Sequence, residues 1–281
     1  MKKNSKQIVS LLLLLFPIVT FAQPKWERNE EPKEINLMLF HSTHVINLPT
    51  SESLQKGDWE FEISHRFLPP VSDGGKSLYG FDGPVNIRLA LGYALTDKSI
   101  LTLGRSNVND NVDLAYKYKF LELDHDTFPI SAALNAGFVW NTEVANRETS
   151  DSKNFQYYGQ LVLNTLINKK LGIGIVPTYL YNAHIYCENP EYAFTIGGYA
   201  QYYISDVFSV LAETNSTVTG WRTGHNSAAF GIELETGGHF FKIVLSNNTY
   251  LNTSQFIEGA GSSFNDGDLH IGFLITRLLK F

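Results

Sequence analysis

The side chains able to do chemistry fall into a few groups. His41 and His44 could share a divalent metal if other ligands completed the shell. They lie in an extended-looking stretch where a spacing of three turns the rings to opposite faces, and no cysteine or carboxylate completes the set. No metal site and no cofactor is expected. Asn265-Asp266-Gly267-Asp268 carries oxygens of the kind calcium takes, but it lacks the remaining ligands of a calcium loop and reads as a turn. His65 and His239 could serve as general bases, yet no serine stands at a spacing that brings it opposite either one without assuming a register. The chain is therefore not expected to be an enzyme.

The largest group is a set of charges in alternation with apolar neighbours: Glu60, Glu62, Arg66, Arg88, Asp113, Lys117, Lys119, Glu233, Glu235 and Lys242. A single dominant sign would point to ion or phosphate selectivity. Five are acidic and five basic. That balance points to ion pairs across a shared interior, a charge network in which a solute-handling role is the lesser reading.

These charges need elements to hold them, and the hydropathy period supplies those elements. Trp59, Phe61, Ile63, His65 and Phe67 alternate with Glu60, Glu62, Ser64 and Arg66, which is the two-residue period of a strand with one apolar face. The same period places Val85, Ile87, Leu89 and Leu91 against Asn86, Arg88 and Ala90, and Val112, Leu114, Tyr116 and Tyr118 against Asp113, Ala115 and Lys117. A further strand is read from Phe128 to Trp140, and weaker alternation marks segments near 99–105, 155–167, 171–181, 192–203, 207–215, 227–235, 239–247 and 269–281. Short turns, such as Thr96-Asp97-Lys98 and Thr236-Gly237-Gly238, alternate with long polar links, at 68–83, 141–154, 182–191, 219–226 and 248–267. About twelve strands with that rhythm predict a single antiparallel up-and-down transmembrane β-barrel, with short periplasmic turns and longer extracellular loops. A lipocalin-like soluble barrel has the same period but usually eight strands. The Gly, Ala, Ser and Asn of the polar face suit a lumen better than a solvated exterior.

Lys2, Lys3 and Lys6, then an apolar run from Ile8 to Phe16 and small residues at Thr20 and Ala22, read as a secretory signal peptide over 1–22, cut after Ala22. No cysteine follows the cut to take a lipid anchor, and the lone Cys187 cannot form an internal disulfide. With those basic residues removed, the rest carries a net charge of about −9, which argues against nucleic acid as a partner. Residues 23–57 are read as a periplasmic leader or plug segment, and 58–281 as the barrel. Residues 37–48 of the leader either fold into the lumen as a plug or line the periplasmic mouth, or else form an extra strand or a loosely packed lead-in. Ile271, Phe273, Ile275, Leu279 and Phe281 share one face, and a terminal aromatic there resembles the signal read by the barrel-assembly machinery. Arg277 on that face would reach a headgroup at the membrane edge.

Several stretches carry a resemblance: Ser42-Thr43-His44-Val45-Ile46-Asn47, Ile63-Ser64-His65-Arg66-Phe67, Asn86-Ile87-Arg88-Leu89, Leu103-Gly104-Arg105-Ser106, Glu235-Thr236-Gly237-Gly238-His239, and Asp266-Gly267-Asp268-Leu269-His270-Ile271-Gly272-Phe273. On these the chain resembles a bacterial family of outer-membrane β-barrels defined as a domain of unknown function, over residues 39–281. The resemblance implies location and fold, with no activity to carry over. The expected function is a narrow channel or binding barrel for small solutes in the outer membrane of a Gram-negative bacterium, motivated by small lumen-facing residues such as Ala90, Gly92, Ala94 and Gly104. The alternatives are a closed barrel acting through its outer loops and, as a lesser one, an outer-membrane lipid hydrolase.

Overall fold

The computed structural model describes residues 39–280. Phe281 and the signal-peptide reading therefore lie outside the described residues. Twelve strands form a closed antiparallel barrel: β1 (Trp59–Phe67), β2 (Val85–Thr96), β3 (Ser99–Ser106), β4 (Asn111–Leu123), β5 (Ile130–Asn141), β6 (Phe155–Ile167), β7 (Leu171–Tyr181), β8 (Tyr192–Tyr203), β9 (Phe208–Gly220), β11 (Ser227–Glu235), β12 (His239–Ser246) and β14 (His270–Leu279). Two short strands, β10 (Thr223–Gly224) and β13 (Gly259–Ala260), pair in parallel and tie two loops together. Closure is made by β1 against β14, with Ile63 opposite Ile275. Closing the sheet leaves no unpaired edge, which is the condition for strands to sit in lipid.

The alternation read from sequence decides which face is which. Leu89, Leu103, Leu134, Ile175 and Ile243 are each about half exposed on the outer wall, and their alternate neighbours are buried inside. An apolar exterior of this extent belongs in a membrane. Tyr157, Tyr179, Tyr181 and Tyr192 ring the wall at one rim, and Tyr118, Phe120, Phe128 and Tyr202 at the other. These are the interfacial girdles of a membrane barrel.

Connections alternate as the sequence predicts. The links 97–98, 124–129, 168–170, 204–207 and 236–238 are at one end, and 68–84, 107–110, 142–154, 182–191, 221–226 and 247–269 at the other. Gly237 and Gly238 have φ of +64° and +90°, the left-handed region that a tight turn requires and glycine adopts freely. The strand expected from Phe128 starts at Ile130, because the His125 ring accepts the backbone N–H of Thr127 and Phe128 and holds them in the turn.

The interior is filled from both ends. Residues 39–54 enter from the turn end, where Gly57 donates to the carbonyl of Ala94, and fold back on themselves through a bridge between His44 and Pro49. Phe40, Val45, Ile46 and Leu48 are buried against Val162, Val176, Leu211, Val244 and Leu274 of the wall. At the loop end, the β12–β14 connection folds inward and carries α1 (Thr253–Ile257), N-capped by Asn252. Phe256 and Ile257 of α1 are fully buried. Of the readings of 37–48, the described part takes that of a lumenal plug and not of an extra strand.

Candidate functional site

Strand parity and register assemble the interior charges. Glu62 on β1, Arg88 on β2 and Asp113 on β4 all point inward, and β3 lies between the last two. The residue of β3 at that level is Gly104, whose Cβ, were there one, would collide with the Asp113 carboxylate and the Arg88 guanidinium. Its absence lets Arg88 reach over β3 to Asp113 Oδ1 at 2.8 Å while also pairing with Glu62 Oε1 at 3.1 Å. A guanidinium held by two carboxylates satisfies the requirement that a buried charge be paired.

The other wall charges hold the plug backbone. Lys117 Nζ donates to the carbonyls of Thr43 at 3.0 Å and Thr50 at 2.9 Å. Lys242 Nζ donates to Ser42 Oγ and to the carbonyls of His44 and Val45 at 2.7–2.8 Å, and pairs with Glu233 at 3.3 Å. Glu213 on β9 accepts the consecutive N–H groups of Ile46, Asn47 and Leu48 at 3.0–3.1 Å, a nest of donors closed round one carboxylate. Thr43 Oγ1 donates to Glu60 Oε1 at 2.6 Å, and Glu52 ties Lys119 to the plug. Charge-assisted hydrogen bonds of this kind are each worth about 1.5–3 kcal/mol.

The inturned outer loop is held by neutral groups and one acid. Gln156 donates to Asn182 O and to Glu258 Oε1, while Ser254 donates to Gln156 Oε1. Burial pushes the Glu258 carboxyl up to about 8, against the partial opposition of the Gln156 hydrogen bond. Arg66 is fully buried beneath this loop and donates to the Asn248 carbonyl at 2.8 Å.

Between the two inserts a chamber of about 100 Å³ remains. The wall residues that line it all belong to β1–β6, because the plug is packed against the opposite wall through Tyr199, Leu211 and Val244. Glu60, Glu62, Arg88, Asp113 and Lys117 face it, together with His44 of the plug and Thr253 of α1. Burial, and next the neighbouring Lys242, hold the His44 imidazole down at about 3, so it is neutral.

The sequence reading is corrected at three points. Arg66 caps a loop carbonyl and, among the described residues, forms no ion pair, because the inturned loop, and not a carboxylate, arrives at its guanidinium. Glu235 stands at the turn rim, where its carboxylate accepts the N–H of Gly238 and is spent on the turn. Of the small lumenal residues read as free width, Gly104 is filled by Asp113 and Arg88, and other inward glycines are filled likewise, Gly137 by Tyr158, Gly174 by Tyr199, Gly172 by Phe40 and Gly197 by Leu48. Glu52, Glu213 and Glu258 were missed. Glu213 shares parity with Ser209 and Asn215, but inward Leu211 interrupts the pattern. His41 and His44 turn to different walls, toward Glu233 and Glu62. His65 stacks on Phe273 and His239 on Phe241, near opposite rims.

No curated protein matches the chain. Among solved structures, the COG4313 outer membrane channel from Pseudomonas putida F1 is similar at 11% identity and TM-score 0.50, with 82% of this chain and 98% of that one covered. The NanC porin is similar at 14% identity and TM-score 0.49, over 79% of this chain and all of that one. The Omp33 outer membrane protein of Acinetobacter baumannii is similar at 7% identity and TM-score 0.42, over 80% of this chain and 99% of that one. At these identities the likeness is one of fold, an outer-membrane β-barrel. A family model described as a membrane-bound beta barrel domain matches residues 40–279, and the chain belongs to that family, DUF5777.

Proposed function

We propose that this barrel is a narrow conduit or binding barrel for small polar solutes, seated in the outer membrane of a Gram-negative bacterium after cleavage of residues 1–22. The observation that carries the reading is the eccentric chamber, bordered by plug, outer loop and the charged wall of β1–β6. A neighbour of the same fold is named an outer membrane channel, which agrees with this use of the fold. We assign it no enzymatic activity and no cofactor; its standing partners are membrane lipid and the assembly machinery that would read Phe281. The competing reading, a closed barrel acting through its outer loops, draws support from the plug anchors at Lys117, Glu213 and Lys242.

Single-channel recording in a planar bilayer separates the two, using chain from Gln23 refolded in detergent and a second form lacking residues 39–54. The conduit reading expects small wild-type steps that change when Arg88 or Lys117 is neutralised, and several-fold larger steps in the deleted form. A silent wild type beside a conducting deletion would establish a closed barrel.

A further inference from the structure

The charges around the chamber do not cancel. Three carboxylates line it, Glu60, Glu62 and Asp113, against two cations, Arg88 and Lys117. Arg88 is taken by Glu62 and Asp113 together. Lys117 spends its donors on the carbonyls of Thr43 and Thr50. Glu60 is left over. It is 8% exposed, its Oε1 accepts one hydroxyl from Thr43, and its Oε2 has no hydrogen-bond partner. Among the described residues no ammonium or guanidinium forms a salt bridge with it. Lys117 acts on Glu60 only through space, and a buried carboxylate without a directly bonded counter-charge is costly, so the site favours an occupant that supplies one.

We infer that the chamber binds a small organic monocation of the primary-ammonium class, with Glu60 as its counter-ion. A divalent metal does not suit the surroundings: Arg88 and Lys117 add positive charge, and among the described residues no group of three His, Cys, Asp or Glu side chains gathers round a point. A primary ammonium has three donors, and Thr102 offers a further oxygen acceptor on the chamber wall near Glu60. A volume of about 100 Å³ admits a group of a few heavy atoms.

The inference rests on the solute-site reading, and its test does not need a current. Thermal unfolding of the refolded barrel, read by the shift in gel migration, is compared in methylammonium chloride and in sodium chloride at equal ionic strength. At ten times its dissociation constant, methylammonium raises the ratio of folded to unfolded barrel about elevenfold. Glu60→Gln abolishes the rise, while Asp151→Asn, which removes a carboxylate on an outer loop, keeps it. Equal stability of the wild type in the two salts overturns the inference, whether or not Glu60→Gln folds, as does a Glu60→Gln barrel that still responds. A barrel that conducts without responding leaves the conduit reading standing and this one lost. One that responds but is silent binds its solute without passing it.

Discussion

Gly104 shows how one missing side chain organises a set of charges. Its lack of a Cβ allows Arg88 and Asp113 to meet over β3, and any larger residue pushes them apart while both stay buried. Gly104→Leu is expected to destabilise the barrel by about 3–5 kcal/mol, the cost of separating a buried pair, whereas Leu103→Ala on the lipid face changes stability far less. Urea unfolding of the refolded protein measures both. Arg88 and Asp113 were legible in the sequence because strand parity gives the direction of a side chain. The role of Gly104 was not, since emptiness at a glycine is defined by what a neighbouring strand sends across it. Gly137 and Gly174 are filled in the same way, by Tyr158 and Tyr199. Glu213 faces inward by the same parity, but its partner is the backbone of residues more than 160 positions away.

At the scale of elements, the strands and their turns follow from local pattern, while the two inserts do not. The plug has no period of its own; it is shaped by Glu213, Lys117 and Lys242 of the wall. The inturned β12–β14 loop is polar in sequence and buried in fact, so composition alone reads it as an exposed link. Its Glu258 makes the seating pH-dependent. A carboxyl raised from its ordinary value to about 8 favours the seated loop while protonated. That contribution is complete below the ordinary carboxylate range and is lost as pH rises through about 8. Tyr250, itself raised by burial, is the titratable neighbour and adds like charge on the alkaline side. Limited proteolysis of 247–269 should accelerate several-fold from pH 6 to pH 9 in the wild type and stay nearly level in Glu258→Gln. An equal acceleration in both would show that another group controls the loop.

For the whole molecule, stability comes from a filled interior as much as from the closed ladder. Removing residues 39–54 takes Phe40, Val45, Ile46 and Leu48 out of the core, each worth about 1.5–3 kcal/mol when fully buried. It also leaves Glu213 and Lys242 without their backbone partners. The shortened chain should still migrate as a folded barrel on a gel but melt well below the full one; an unchanged melting temperature would mean the plug contributes nothing to the fold.

The plug precedes every strand of the wall, yet its anchors stand on β4, β9 and β12, far apart around the circumference. It thereby acts as a gauge of girth. A barrel with one hairpin too many would carry Lys117, Glu213 and Lys242 out of reach of the same short stretch of backbone, and a barrel with one too few would crush it. Plug and strand number are thus matched in the finished barrel.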